Sequence, residues 1–469
     1  MFRVTRRLGG SALALVVVAL VIAASASSAS AKLGVTWMKS YAAPGTPAKY
    51  NKVGVIKVGK PKAKNVLVLE PGTSAGAGYF VPLAKWIVSK APGWQVWSVA
   101  RRESLLEDQS VINLAKEGKA TPQQVFNFYL GWLTNHSITH HFNPVSDSSA
   151  AFAKQWGLKT AVEDLHTVIA AARKLGGKVV LGGHSLGGSV VTGYATWNFH
   201  GKPGAADLAG LVYDDGASFT GPPSAQAAMQ TLQQFESPAT SPWLPFVPGI
   251  PAYDSGIFGE SGGLASIVAP NQALATGETG LLPPSLKTPV PVTNLAEFGF
   301  GTSVATSQLV FAIKAHDGSE IASTPMADGL HGWNGAGALT PIKRYAQMLS
   351  GYPLKNVDGT EWYFPQRLTD DSAAIDNGNA NPAQGVFGID DTMGHHLSRN
   401  LRMYAFGAFG GQAILEATTA LAKQSNIPMH NLTLVNRHGT YAHNDPAGAF
   451  PNNAFFSHLI PFLAKIAGK

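Results

Sequence analysis

Eight short runs of β-branched, aliphatic and aromatic residues recur along the chain, and their spacing leaves few architectures open. They are Val35–Met38, Val53–Val58, Val66–Leu69, Gln95–Val99, Lys178–Leu181, Leu208–Tyr213, Leu401–Phe406 and Leu432–Val435. Each is close to continuously apolar, as strands buried on both faces of a sheet are. Helical patterns lie between several of them, over Phe80–Lys90, Thr160–Leu175, Ser189–Trp197 and Ala413–Lys423. The first two runs are close enough to form a hairpin. The strand–helix alternation that follows predicts an α/β fold built on an eight-stranded, mostly parallel sheet.

Two stretches break this rhythm. Glu103–Lys159 is expected to add helices, notably around Gln123–Leu133. Ser218–Asn400 is far longer and rich in Pro, Gly, Asn and aromatic residues. A structureless loop of that length does not belong in a compact domain. Residues 218–400 are therefore expected to form an inserted cap or lid subdomain on a core made of 32–217 and 401–469. Trp243, Phe246, Tyr253 and Phe258 are expected to pack that subdomain's own small core.

Composition narrows the chemistry. Of 469 residues, 45% are hydrophobic and 13% charged, which excludes a disordered chain or a coiled coil. The absence of Cys removes disulfides, thiolate nucleophiles and Cys-based metal sites together. The net charge of +7 is spread along the chain rather than gathered in a stripe, which weighs against a nucleic-acid partner. Arg3, Arg6 and Arg7, the apolar run Ala12–Ala24 and the triplet Ala29-Ser30-Ala31 have the order of an export signal over residues 1–31, cleaved after Ala31. The run is too short to span a bilayer comfortably. The mature protein is thus expected outside the cytoplasm, extracellular or periplasmic, with no stable membrane span. His140-His141 and Asp390-Asp391 with His395-His396 lack a known ligand spacing, so neither metal nor other cofactor is expected.

Three segments match G-x-S-x-G: Gly72–Gly76, Gly183–Gly187 and Gly259–Gly263. A catalytic serine in this motif sits on a strained turn directly between a strand and a helix, with small neighbours that let the chains approach. Gly259–Gly263 follows a Pro/Gly-rich stretch with no strand before it. In Gly72–Gly76, Pro71 intervenes after the strand. Ser185 follows Lys178-Val179-Val180-Leu181 and precedes a helix of small residues. It is the candidate nucleophile.

The order of the eight runs, Gly183-His184-Ser185-Leu186-Gly187-Gly188 after the fifth of them and a late His together resemble the α/β-hydrolase superfamily of lipases and esterases. Trp97–Asp108 (WSVARRESLLED) resembles a segment of its secreted bacterial members. The resemblance implies further roles. The loop after the third strand would supply one backbone N–H of an oxyanion hole, that of Thr73 with Ser74 as the alternative. Leu186 would supply the other. The histidine would follow the last strand, at His443 in preference to His438, with Asp445 capping the turn rather than orienting the ring. The acid usually follows the seventh strand, but Gly407–Gln412 contains no carboxylate. Tyr213-Asp214-Asp215-Gly216 places two at the end of the sixth, and Asp215 is preferred to Asp214. The expected activity is serine hydrolysis of carboxylic esters, from small molecules or lipids, through an acyl-enzyme. The missing carboxylate after the seventh strand leaves an alternative: a binding protein or non-hydrolytic enzyme on the same fold.

Overall fold

The eight apolar runs pair into a single sheet: β1 (Val35–Lys39), β2 (Lys52–Val58), β3 (Asn65–Glu70), β4 (Trp94–Ala100), β5 (Val179–His184), β6 (Gly210–Asp214), β7 (Arg402–Gly407) and β8 (Leu432–Asn436). The computed structural model describes residues 33–218, 221–245, 251–275, 287–307, 312–315, 321–392 and 396–469. The export signal read in residues 1–31 lies outside them. The strand order is β1-β2-β4-β3-β5-β6-β7-β8, and β2 alone runs against the rest. The α/β class and the mostly parallel eight-stranded sheet expected from the sequence are what is found.

Helices cover both faces of the sheet, which explains why its strands lack polar alternation. On one face lie α1 (Val81–Lys90) and a terminal helix, Ala454–Ile466, with Trp86 stacked on Phe456 at 3.7 Å between ring centroids. On the other lie α2 (Leu158–Arg173), α3 (Leu186–Thr196) and a helix over Gly411–Gln424, which bury Leu165, Ile169, Val190 and Leu421 against Val66, Val68 and Leu181. Burying each such side chain contributes roughly 1.5–3 kcal/mol.

The two stretches that interrupt the alternation pack on each other. Glu103–Lys159 contributes helices Ser110–Lys116 and Pro122–Tyr129, the second opened by a Thr121/Gln124 capping box. Its Tyr129, Phe142 and Trp156 share one core with Trp243, Ile257, Leu264, Trp362 and Tyr363 of the longer stretch. Trp243 and Tyr253 therefore pack a shared core, not one private to residues 218–400; Phe246 lies outside the described residues. Phe364, Leu368, Ala383 and Phe387 from the same stretch join the core of the main sheet. Residues 34–469 form one compact unit. Ser261, set aside because no strand precedes it, lies inside a helix over Ala252–Val268, where its hydroxyl donates to the Ile257 carbonyl at 2.6 Å.

Candidate active site

β5 ends at His184 and α3 begins at Leu186, so Ser185 alone makes the turn, at φ 55° and ψ −128°. A non-glycine residue in that region costs on the order of 1–3 kcal/mol and persists only where neighbours hold it. Here the Ser185 N–H donates to the Asp214 carbonyl at 3.1 Å, and the Ser185 carbonyl accepts from Gly188 N at 2.8 Å. Two glycines make room. A Cβ on Gly216 would lie 2.0 Å from the Ser185 carbonyl oxygen, and one on Gly72 would lie 2.7 Å from the Ser185 Cβ. The turn leaves Ser185 partly exposed between two buried elements.

Asp215 lies one residue past β6, also with positive φ, at 44°. Its carboxylate is buried and accepts four hydrogen bonds. Ala408 N and Gly410 N donate to Oδ1 at 2.7 and 2.9 Å; Phe409 N and His443 Nδ1 donate to Oδ2 at 3.1 and 2.6 Å. The loop after β7, which carries no carboxylate, instead supplies three backbone donors to the carboxylate of its neighbour. Bonds from backbone N–H to a charged acceptor are worth about 1.5–3 kcal/mol each.

The His443 ring is itself buried and held from several sides. Asp445 fixes its turn by accepting from Ala442 N at 2.7 Å, from the Thr340 hydroxyl at 2.6 Å and from Lys314 N at 3.0 Å. His184 Nε2 donates to the His443 carbonyl at 3.0 Å, with the two rings 4.6 Å apart. Burial, and secondarily the proximity of His443, holds the His184 pKa well below its ordinary value, so His184 is neutral. No sequence signal marks His184 for this role beyond its place before Ser185. His438 is exposed, with Nδ1 3.1 Å from the Phe409 carbonyl, and does not reach the acid. Asp214 is buried, and neither of its carboxyl oxygens has a partner among the described residues. Burial, reinforced by the charge of Asp215, pushes its pKa well above the usual aspartate range.

The loop after β3 reaches Ser185 through Gly72. Thr73 follows, then Ser74 at φ 53°. Among the described residues, the backbone N–H groups of Thr73 and Leu186 donate to no protein acceptor. Residues 358–361 run beside this loop: Gly76 N donates to the Gly359 carbonyl at 3.0 Å and Glu361 N to the Ser74 carbonyl at 2.9 Å. The buried Arg101 lies beneath it; the sequence singled out its segment without giving the arginine a task. No three His, Asp or Glu side chains among the described residues converge as a metal site would require.

No family model matches the chain, and no curated protein does either. Solved structures do resemble it. A carboxylesterase of the thaumarchaeon Nitrososphaera gargenis matches with a TM-score of 0.40 and 10% identity, over 92% of this chain and 99% of its own. A highly thermostable carboxyl esterase from Bacillus coagulans scores 0.38 at 12% identity, over 93% and 99%. A soluble variant of monoglyceride lipase from Saccharomyces cerevisiae scores 0.37 at 11%, over 93% and 96%. The strand order, with its lone antiparallel second strand and a strained serine turn after the fifth, decides the architecture. The fold is that of an α/β-hydrolase. In its terms, the loops that follow β3, β5, β6 and β8 meet at the carboxyl edge of the sheet, where open α/β sheets bind ligands. Among the described residues no helix is long and apolar enough to cross a membrane.

Proposed function

We propose that the chain is an exported serine hydrolase that cleaves carboxylic esters through an acyl-enzyme. The observation that carries this reading is the buried 2.6 Å bond between His443 and Asp215, formed beside the strained turn at Ser185. A carboxylate can only accept, so Nδ1 carries the proton, and a neutral His443 holds its basic lone pair on Nε2. His443 then removes the Ser185 proton as Oγ attacks the ester carbonyl, since a serine hydroxyl is too weak an acid unaided. Asp215 fixes the tautomer and stabilises the imidazolium. The Thr73 and Leu186 N–H groups stabilise the tetrahedral oxyanion, each contributing roughly 3–4 kcal/mol. The alcohol leaves with the proton from His443, and water attacks the acyl-enzyme by the same route in reverse. This chemistry calls for no metal and no organic cofactor.

One feature supports an apolar ester from a small molecule or a lipid. Phe409, with its ring 6.4 Å from His443, is 53% exposed at the rim. The three N–H groups after β7 also give a carboxylate-free strand end a use, which weakens the case for a non-hydrolytic binding protein. Export rests on the arginines, apolar run and Ala29-Ser30-Ala31 triplet of residues 1–31.

A fluorophosphonate probe tests the mechanism. The wild type should be labelled and Ser185→Ala should not; labelling that survives the substitution would remove the nucleophile from this reading. A chain-length series of p-nitrophenyl esters then sets the acyl preference. N-terminal sequencing of protein recovered outside the cytoplasm should begin at Lys32; an intact Met1 would sink the cleavage site, and recovery of the protein in the cytoplasm alone would sink the export proposal.

A further inference from the structure

The peptide unit between Gly72 and Thr73 carries the proposed oxyanion donor on one side and the Gly72 carbonyl on the other. In a trans peptide these two groups point in opposite directions. Whatever holds the carbonyl therefore sets the direction of the N–H. The Gly72 carbonyl accepts from Arg101 Nη2 at 2.9 Å and from Ala75 N at 3.3 Å. Arg101 also donates through Nη1 to the Pro71 carbonyl at 2.9 Å and through Nη2 to the Ala75 carbonyl at 3.1 Å. One side chain thus grips the carbonyls of three residues in a loop that has no regular secondary structure of its own.

The guanidinium is fixed in turn. Glu361 receives Nε at 3.1 Å and Nη2 at 2.8 Å; Glu70 receives Nη1 at 2.9 Å; Glu103 lies 3.3 Å from Nε. Phe364 covers its face at 5.1 Å. Arg101 is 6% exposed and Glu361 1%. A buried guanidinium with this many acceptors is locked in one orientation, because its donors form a rigid planar fork. Glu361 also donates its backbone N–H to the Ser74 carbonyl, so residues 358–361 hold the far side of the same loop.

From this geometry we infer that Arg101 is a positioning residue. It aims the Thr73 N–H at the oxyanion by gripping the Gly72 carbonyl, and through Glu361 it ties that aim to residues 358–361 of the long stretch. The inference rests on the serine-hydrolase reading and sharpens it. Thr73, whose peptide unit is clamped, is the donor; among the described residues the peptide unit that bears the Ser74 N–H has no such clamp.

Three proteins test it: wild type, Arg101→Lys and Glu361→Gln. Lysine keeps the charge but loses the fork, so kcat should fall about 10–100-fold while KM changes by less than about threefold. Affinity for an alkyl boronic acid, whose tetrahedral adduct needs the oxyanion donors, should fall by a matching factor. Amide exchange should quicken in peptides covering residues 71–76 and stay unchanged over α3. Glu361→Gln keeps the shape and one acceptor, so it should lower kcat by a smaller factor, about 3–10-fold, with thermal unfolding close to wild type. Wild-type kcat and boronate affinity in folded Arg101→Lys would overturn the role of Arg101. If that variant fails to fold, unchanged kcat and boronate affinity in Glu361→Gln overturn it instead. A wild type that no fluorophosphonate labels would overturn the site reading, and the role of Arg101 with it.

Discussion

The loops after β6 and β7 lie side by side at one edge of the sheet, with Asp214 paired in register with Phe406. The first carries two adjacent carboxylates. The second carries none, but presents three backbone N–H groups. Asp215 turns toward those donors and toward His443, and accepts four hydrogen bonds. Asp214, one residue earlier and still in the strand, is buried, and its two carboxyl oxygens have no hydrogen-bond partner among the described residues. Asp214 is the last residue of the strand, whereas Asp215 lies past its end with φ at 44°, so these neighbours in sequence have different surroundings. The comparison teaches that a candidate acid is singled out by what donates to it. A carboxylate one residue away is chemically a different group.

Four substitutions press on that difference. Asp215→Asn should have the largest effect, a fall in kcat of about 10⁴, because an amide donating to Nδ1 favours the wrong tautomer. Steady-state ester kinetics in a folded variant measure it, and a loss below tenfold would return the role of acid to another residue. Gly72→Ala comes next. Its Cβ would lie 2.7 Å from the Ser185 Cβ and 3.0 Å from the His184 carbonyl oxygen. That overlap should displace the loop after β3 and lower kcat by about 10²-fold, with a small fall in Tm.

Asp214→Asn should leave kcat within about threefold and act on stability instead. The pKa of Asp214 is raised in the folded protein, so the folded state binds its proton more tightly than the unfolded state does. Wild-type stability therefore declines as pH rises from near the ordinary aspartate value, about 3.9, toward the raised one. The variant escapes that decline. Its Tm should exceed that of wild type by about 1–3 °C at pH 8 and converge with it near pH 4. A Tm difference that grows toward acid would contradict the assignment. His438→Ala should have the smallest effect, leaving kcat within about twofold, since His438 is exposed and, among the described residues, its ring bonds to the Phe409 carbonyl and not to the acid. A large loss there would break the preference for His443.

Much of this architecture was legible in the chain. A buried parallel strand needs near-continuous apolar residues, so all eight sheet strands stood out, and so did the helices between them. The turn at Ser185 was legible because it combines a strand, four glycines and a helix within a dozen residues. The partners of Trp243 and Tyr253 were not, because a local run of aromatics does not say which distant segment will cover it. Arg101 could be singled out only as part of a segment. Its acceptors lie at Glu70, Pro71, Gly72, Ala75 and Glu361, and nothing local links residue 101 to residue 361.

By itself, then, the sequence determined the alternating α/β architecture, the strained serine turn and a short menu of acids and histidines, because these depend on local periodicity and backbone sterics. Tertiary structure alone decided which members of the menu meet. Whether Asp215 or Asp214 finds donors, and whether His443 or His438 reaches the acid, depends on how strands far apart in sequence are brought into register. The Gly72–Thr73 peptide is likewise aimed by a guanidinium whose counter-charges are gathered from across the chain.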